Sequence, residues 1–325
     1  MTDRKYIVMG AGAWGTAVAV HLAKKDLSVI LVPRDEKKAQ EMRMYRENRL
    51  RLSGIPFPKS LTVDVHFEKY LQPDSIVFVA CRMEGLVSIC QQLQAYKTQL
   101  THVVSLIKGL DHKTLKTPSQ VILSICPQVQ VMCWTGPTLA KEFAMGKPAA
   151  MVLASKEDQR VLQKTFSSEV VRVYYSSDLL GAELGGCLKN VYAIGTGILD
   201  GMELGDKARA AYLTCVLKEM VNIGVFLGGR KETFYEISGL GDLLATTQGE
   251  WGRNRRFGFA FAQGKSTKEL LQESTVEGFG SIQGFYERIK DSGIEAPILK
   301  GLYAVLYQQV PIQEAIRKFL SRPLP

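Results

Sequence analysis

Through its first half the chain carries short apolar runs at regular intervals, separated by polar or glycine-bearing stretches. They are YIVM (6–9), SVILV (28–32), LTVDV (61–65), SIVFVA (75–80), HVVSLI (102–107), VQVMCW (129–134), AAMVLA (149–154) and VVRVYY (170–175). Most are continuously apolar rather than alternating, which predicts strands buried on both faces of a parallel sheet. Helical patterns fall between them, around 15–24, 84–95 and 157–166, so the first half reads as a doubly wound α/β sheet. After residue 176 the strand pattern stops. Helical periodicity punctuated by glycine covers 179–199, 207–227, 240–248, 256–263, 267–272, 280–291 and 312–320. The expected organisation is an α/β domain over 1–177 and an all-helical domain over 178–325, with Ser177 or Asp178 capping the first helix of the second domain.

Composition narrows the class. The chain has 325 residues, 46% hydrophobic and 22% charged, which suits two globular domains. No apolar run is long enough to span a membrane. The N-terminus runs directly into a strand with no secretory pattern, so a cytoplasmic location is expected, without membrane insertion. Six cysteines lack metal-ligand spacing and mostly sit in apolar surroundings, which predicts buried free thiols and no metal. The net charge of +9 favours an anionic partner. The basic residues are dispersed, densest in GRNRRFG (252–258), and no aromatic-interleaved basic array points to nucleic acid.

Gly10, Gly12 and Gly15 have G-x-G-x-x-G spacing between the first strand and the first helix. Gly10 permits the tight turn, Gly12 lets a pyrophosphate approach the backbone, and Gly15 allows helix to pack on strand. The helix N-terminus beyond them suits phosphate. The second strand ends in Pro33–Arg34–Asp35. Arg34 can pair with a 2′-phosphate, which favours NADPH, while Asp35 keeps NAD open.

All four histidines (His21, His66, His102, His112) lie outside the helical half, so a base supplied there must be Lys, Asp, Glu or Tyr. The stretch ELGGCLKNVYAIGTG (183–197) sets Lys189 and Asn190 in an apolar, glycine-rich helix. Ala182, Gly186, Lys189, Asn190, Ala193 and Gly197 share one helical face. A desolvated lysine there has its pKa pulled down, as suits a base near neutral pH; a snorkelling lysine at a helix contact is the competing reading.

Several motifs in order resemble the bacterial-type NAD(P)-dependent glycerol-3-phosphate dehydrogenases, nearly end to end. GAGAWGTA resembles the family's phosphate-binding turn, with Ala13 and Trp14 between the glycines; SLIKGL carries the family lysine as Lys108. WTGPTLAKE is similar to the family segment containing Gly136, Thr138, Ala140 and Glu142. SDLLGAELGGCLKNVYAIGTGILDG resembles the helix whose lysine, here Lys189 beside Asn190, is the base. GLGDLLATT and GRNRRFG resemble the substrate block, with Asp242, Thr246, Gly252, Arg253, Asn254 and Arg255, and TVEG supplies Thr275 and Glu277 near the nicotinamide half of the cofactor.

The resemblance implies a Rossmann-type NAD(P)-binding domain and a helical substrate domain. It further implies interconversion of dihydroxyacetone phosphate and sn-glycerol 3-phosphate for phospholipid synthesis. Lys189, Lys108 and Asp242 would be catalytic, with Lys108 brought in from the first domain. Gly136, Thr138, Asn190, Thr246, Gly252, Arg253 and Asn254 would join these three in binding substrate. Gly10, Gly12, Ala13, Trp14, Gly15, Arg34, Lys108, Ala140, Arg253, Thr275 and Glu277 would hold NADP or NAD. The partners expected are a small phosphorylated substrate and a second copy of the chain. The sequence departs from the family at Cys81–Arg82, where a proline-containing turn is usual, at Thr135 for Ser, and at Gly252 for Ser. A β-hydroxyacid dehydrogenase of the 6-phosphogluconate type and a non-catalytic nucleotide sensor are the competing readings. The substrate block argues against the first, and the presence of Lys189, Lys108 and Asp242 against the second.

Overall fold

The computed structural model describes residues 4–111, 114–248 and 252–321. The chain forms two compact units: residues 1–107 with 117–179, and residues 108–116 with 180–325.

The first unit is an eight-stranded sheet in the order β3-β2-β1-β4-β5-β6-β7-β8. Its strands are β1 (Lys5–Met9), β2 (Ser28–Val32), β3 (Leu61–Val63), β4 (Ile76–Val79), β5 (His102–Ser105), β6 (Gln130–Thr135), β7 (Ala149–Ser155) and β8 (Val171–Ser176). Each coincides with an apolar run, and the reason is visible in β1. Tyr6 and Val8 join the cluster on one face of the sheet, and Ile7 and Met9 join the cluster on the other. All four are at most 4% exposed, so neither face tolerates the polar alternation of a half-solvated strand. Pairing is parallel throughout except between β6 and β7, which run antiparallel. The helices of this unit are α1 (Ala13–Ala23), α2 (Glu36–Tyr45), α3 (Met83–Gln94), α4 (Pro118–Ile125), α5 (Ala140–Met145) and α6 (Arg160–Phe166). Strand order reverses between β1 and β4, and open α/β sheets bind ligands beyond the carboxyl ends of strands at such a switch point.

The second unit is helical: α7 (Leu179–Gly201), α8 (Gly205–Phe226), α9 (Asp242–Gln248), α10 (Arg253–Ala262), α11 (Thr267–Glu273), α12 (Glu277–Ile289), α13 (Pro297–Tyr307) and α14 (Ile312–Leu320). A wide π-helical turn, Ile237–Gly241, leads straight into α9. No described helix is long and apolar enough to cross a membrane.

Two features add to the sequence reading. Helix α13 lies between the helices predicted over 280–291 and 312–320, where none is expected; Pro297 occupies its first turn, where its missing N–H costs nothing. Lys108, which follows the fifth strand in the sequence, packs with the helices. The strand stops at Ser105, Leu110 is buried in the helical core, and the Lys108 carbonyl accepts a hydrogen bond from Asn190 Nδ2 at 3.1 Å.

Candidate active site

In the first unit the three glycines have different reasons to be glycine. Gly10 has φ +115°, and a Cβ there would lie 2.4 Å from the Ala80 carbonyl at the end of β4. A Cβ on Gly15 would lie 2.1 Å from the Gly10 carbonyl. Both are therefore required by packing at the switch point. Gly12 is exposed, has an ordinary φ of −73° and would meet nothing within 4 Å. Its missing side chain leaves open space beside the start of α1, where first-turn N–H groups lack helical partners. That cradle fits a dinucleotide pyrophosphate. Asn48, which the sequence did not single out, fixes the turn: its Nδ2 donates to Ala11 O at 3.0 Å and to Thr16 Oγ1 at 2.8 Å while the residue is 1% exposed.

Ala13 and Trp14 open α1, and Trp14 sets its ring edge-on to Phe143 of α5 at 5.0 Å. Ala140 is the first residue of α5. Gly136, with φ +141°, and Thr138 follow β6. At the end of β2 Arg34 is exposed. Asp35 is committed elsewhere: it caps α2, accepting from Lys38 N at 3.0 Å and Lys38 Nζ at 2.5 Å. These Lys38 contacts hold its carboxyl below the usual carboxylate range. His21 is a packing residue, buried with Nε2 2.8 Å from Phe166 O.

In the second unit the shared helical face of α7 is buried throughout, Lys189 and Asn190 at 7% exposure each. Its glycines admit neighbours at backbone distance. A Cβ on Gly185 would sit 2.7 Å from Ser238 O in the π-helical turn, and one on Gly197 would sit 1.9 Å from Arg255 O of α10. The first approach brings the start of α9 to Lys189. Asp242, whose side chain is 1% exposed, then accepts from two ammonium groups: Oδ1 from Lys189 Nζ at 2.5 Å and Oδ2 from Lys108 Nζ at 2.6 Å. Thr246, one turn on, accepts from Lys189 Nζ at 2.8 Å and donates to Asp242 O at 2.7 Å.

Burial pushes the Lys189 pKa down to about 8; Asp242 opposes that shift and Lys108 adds to it. Two ammonium groups share the Asp242 carboxylate in a desolvated place. Such a group suits proton transfer near neutral pH and stabilises an oxygen that gains negative charge.

Asn190 continues the network. Its Oδ1 accepts from Asn254 Nδ2 at 2.9 Å, and Asn254 Oδ1 accepts from Gly278 N at 3.0 Å. Asn254 and Arg253 occupy the first turn of α10, with Gly252 as its N-cap. Arg253 is exposed and donates from Nη1 to Thr275 O at 3.3 Å; Glu277 opens α12. A helix start with arginines and no acid in its first turn is an anion-binding arrangement. The structure thus gathers Lys108, Lys189, Asn190, Asp242, Thr246, Gly252, Arg253, Asn254, Thr275 and Glu277 in the helical unit. Gly10, Gly12, Ala13, Trp14, Gly15, Arg34, Gly136, Thr138 and Ala140 belong to the sheet unit.

A doubly wound sheet with a dinucleotide-type glycine turn, joined to a helical unit holding a buried lysine pair, defines a nicotinamide-dependent oxidoreductase. Models of the N-terminal and C-terminal domains of NAD-dependent glycerol-3-phosphate dehydrogenase match residues 5–161 and 178–317. The chain belongs to this family. It is 37% identical to glycerol-3-phosphate dehydrogenase [NAD(P)+] of Nitrosomonas eutropha over 97% of each chain, and 37% identical to that of Herminiimonas arsenicoxydans, again over 97% of each. The crystal structure of glycerol-3-phosphate dehydrogenase from Coxiella burnetii superposes with a TM-score of 0.89 at 31% identity, covering 98% of this chain and 99% of that one.

Proposed function

We propose that this protein interconverts dihydroxyacetone phosphate and sn-glycerol 3-phosphate, with Lys189 as the proton donor and acceptor. The observation that carries the reading is the Asp242 carboxylate shared between Lys189 and Lys108. The nicotinamide cofactor, when bound, supplies hydride to the carbonyl carbon or receives it in reverse. In reduction Lys189 gives its proton to the carbonyl oxygen as the C–H bond forms, leaving a neutral amine and an alcohol. In oxidation the amine takes that proton back. Lys108 holds positive charge beside the same oxygen. Asp242 orients both ammonium groups and keeps Lys189 from losing its proton too early. Arg253 offers a planar fork to the substrate phosphate, and Asn254 and the first turn of α10 complete the anion site.

The cradle at Gly12 receives the pyrophosphate. NADPH is the preferred form on this reading, because Arg34 is exposed while Asp35 is occupied with capping α2. The protein works in the cytoplasm, providing glycerol 3-phosphate for phospholipid synthesis. It does so as a homodimer, a state supported by the exposed apolar pair Val225 and Phe226 at the end of α8. The decisive assay is oxidation of NADPH and of NADH with dihydroxyacetone phosphate, with the product's configuration determined. Rapid oxidation yielding the sn-3 product is expected. No turnover with this substrate, or turnover with a phosphorylated sugar acid instead, overturns the assignment.

A further inference from the structure

Arg255 lies in the same first turn of α10 as Arg253 and Asn254, yet it does not face solvent. Its side chain is 7% exposed, and Nε donates to Asp200 Oδ2 at 2.6 Å. The other oxygen of Asp200, itself 5% exposed, accepts from Arg209 Nη2 of α8 at 2.6 Å. Asp200 sits in the last turn of α7, the helix that carries Lys189. One carboxylate therefore binds three helices at one point.

Around it α7 and α10 touch backbone to backbone. A Cβ on Gly197 would lie 1.9 Å from Arg255 O, one on Gly258 would lie 1.9 Å from Ile194 O, and one on Gly201 would lie 2.8 Å from Phe259 O. Beyond the glycine contacts, the Asn254–Asn190 hydrogen bond ties the two helices at one point near Lys189, and a second tie away from it is needed to oppose rotation about that point. A directional, buried ion pair supplies that tie, because a guanidinium Nε–H has one good geometry toward a carboxylate oxygen.

We propose that Asp200 is a positioning residue for the phosphate clamp: through Arg255 it fixes the first turn of α10, and hence Arg253 and Asn254, relative to Lys189 on α7. This rests on the reading of Arg253 as the phosphate ligand. Asp200 also offsets part of the charge of Arg255, although it shares its carboxylate with Arg209.

The test uses D200N and D200E in the full-length protein, with dihydroxyacetone phosphate and unphosphorylated dihydroxyacetone compared. D200N removes the charge. D200E keeps it but displaces it by one methylene, and serves if D200N does not fold. Misplacing the clamp by a fraction of an ångström to an ångström should raise KM for the phosphorylated substrate on the order of ten- to a hundredfold. Activity toward dihydroxyacetone, which has no phosphate to hold, should change less than about threefold. Equal loss for both substrates in the folded variants, or unchanged KM for dihydroxyacetone phosphate in D200E, overturns the proposal. R253A is run in parallel: if it leaves KM for dihydroxyacetone phosphate unaltered, the phosphate reading itself fails. If R253A is damaging while D200E is harmless, only the role of Asp200 fails.

Discussion

Replacing Asp242 by asparagine removes one charge and leaves the side chain nearly the same size. In the native cluster the carboxylate contacts Lys189 at 2.5 Å and Lys108 at 2.6 Å; burial pushes the Lys189 pKa down to about 8, and Asp242 opposes that shift. An opposite charge at such range is worth about one to three pH units. Without it the Lys189 pKa should fall to between about 5 and about 7. At pH 7 the protonated fraction of Lys189 then drops from about nine-tenths to between roughly a half and a hundredth. Reduction needs the protonated lysine, so its rate at pH 7 should fall by up to about a hundredfold from protonation alone. The lost orientation of both ammonium groups adds to this, since an amide would turn its NH2 toward one of them.

The assay is kcat/KM for the phosphorylated substrate against pH in both directions, since this ratio reports the ionisation of the free enzyme. In the native protein reduction should decline as pH rises through about 8, where Lys189 loses its proton, and oxidation should rise through the same region. In D242N both breaks should move to lower pH, and acidification should recover part of the reductive rate. A D242N profile that still breaks near 8, or a native profile with no break in that region, refutes the argument.

Lys189→Ala should lower kcat on the order of a hundred- to ten-thousandfold while cofactor affinity, read by fluorescence titration, stays within about threefold. Arg34→Ala should weaken NADPH binding far more than NADH, as measured by calorimetry of both. Gly12→Ala should keep Tm but weaken cofactor binding, since its Cβ enters open space. Gly15→Ala should lower Tm even without cofactor, because its Cβ would meet Gly10 O at 2.1 Å. Arg253→Lys should raise KM for dihydroxyacetone phosphate and leave dihydroxyacetone little affected, because an ammonium cannot make the two-point contact.

What the sequence revealed and what it hid follow from the range of the forces involved. Strands buried on both faces announce themselves in consecutive residues, as Tyr6–Val8 and Ile7–Met9 do. The glycine turn is equally local. Helix α13 was missed because its stabilisation is remote: Glu219 of α8 accepts from Ile298 N at 2.8 Å and Leu299 N at 2.7 Å, capping a start that looks like a break in the chain. The helix predicted over 240–248 takes in only the end of the π-helical turn Ile237–Gly241, since periodicity does not register one wide turn. Asn48 and Asp200 carried no signal at all. An asparagine in a loop and an aspartate at a helix end are usually solvated, and only the fold shows them buried. Lys108 lies within the stretch matched by the N-terminal domain model, yet it packs with the helices, and the contact that draws it there, the Asn190 amide, lies far along the chain.

The glycine-rich character of α7 and the lysine within it are parts of one arrangement. An isolated ammonium in a desolvated helix face costs several kcal/mol. It persists here because Gly185 lets the π-helical turn come close enough to deliver Asp242, and Gly197 lets α10 come close enough for Asn254 to reach Asn190. Asp242 divides its carboxylate between two ammonium groups, Lys189 and Lys108. A neutral carbonyl gains little from these ammonium groups. An oxygen acquiring negative charge as hydride arrives gains most, because the dipoles and charges are already oriented and no water must be rearranged. Filling any of these glycines would push apart the groups that keep the lysine charged. Substitutions there should therefore lower stability and catalysis together, whereas changes at Lys189 itself should separate the two.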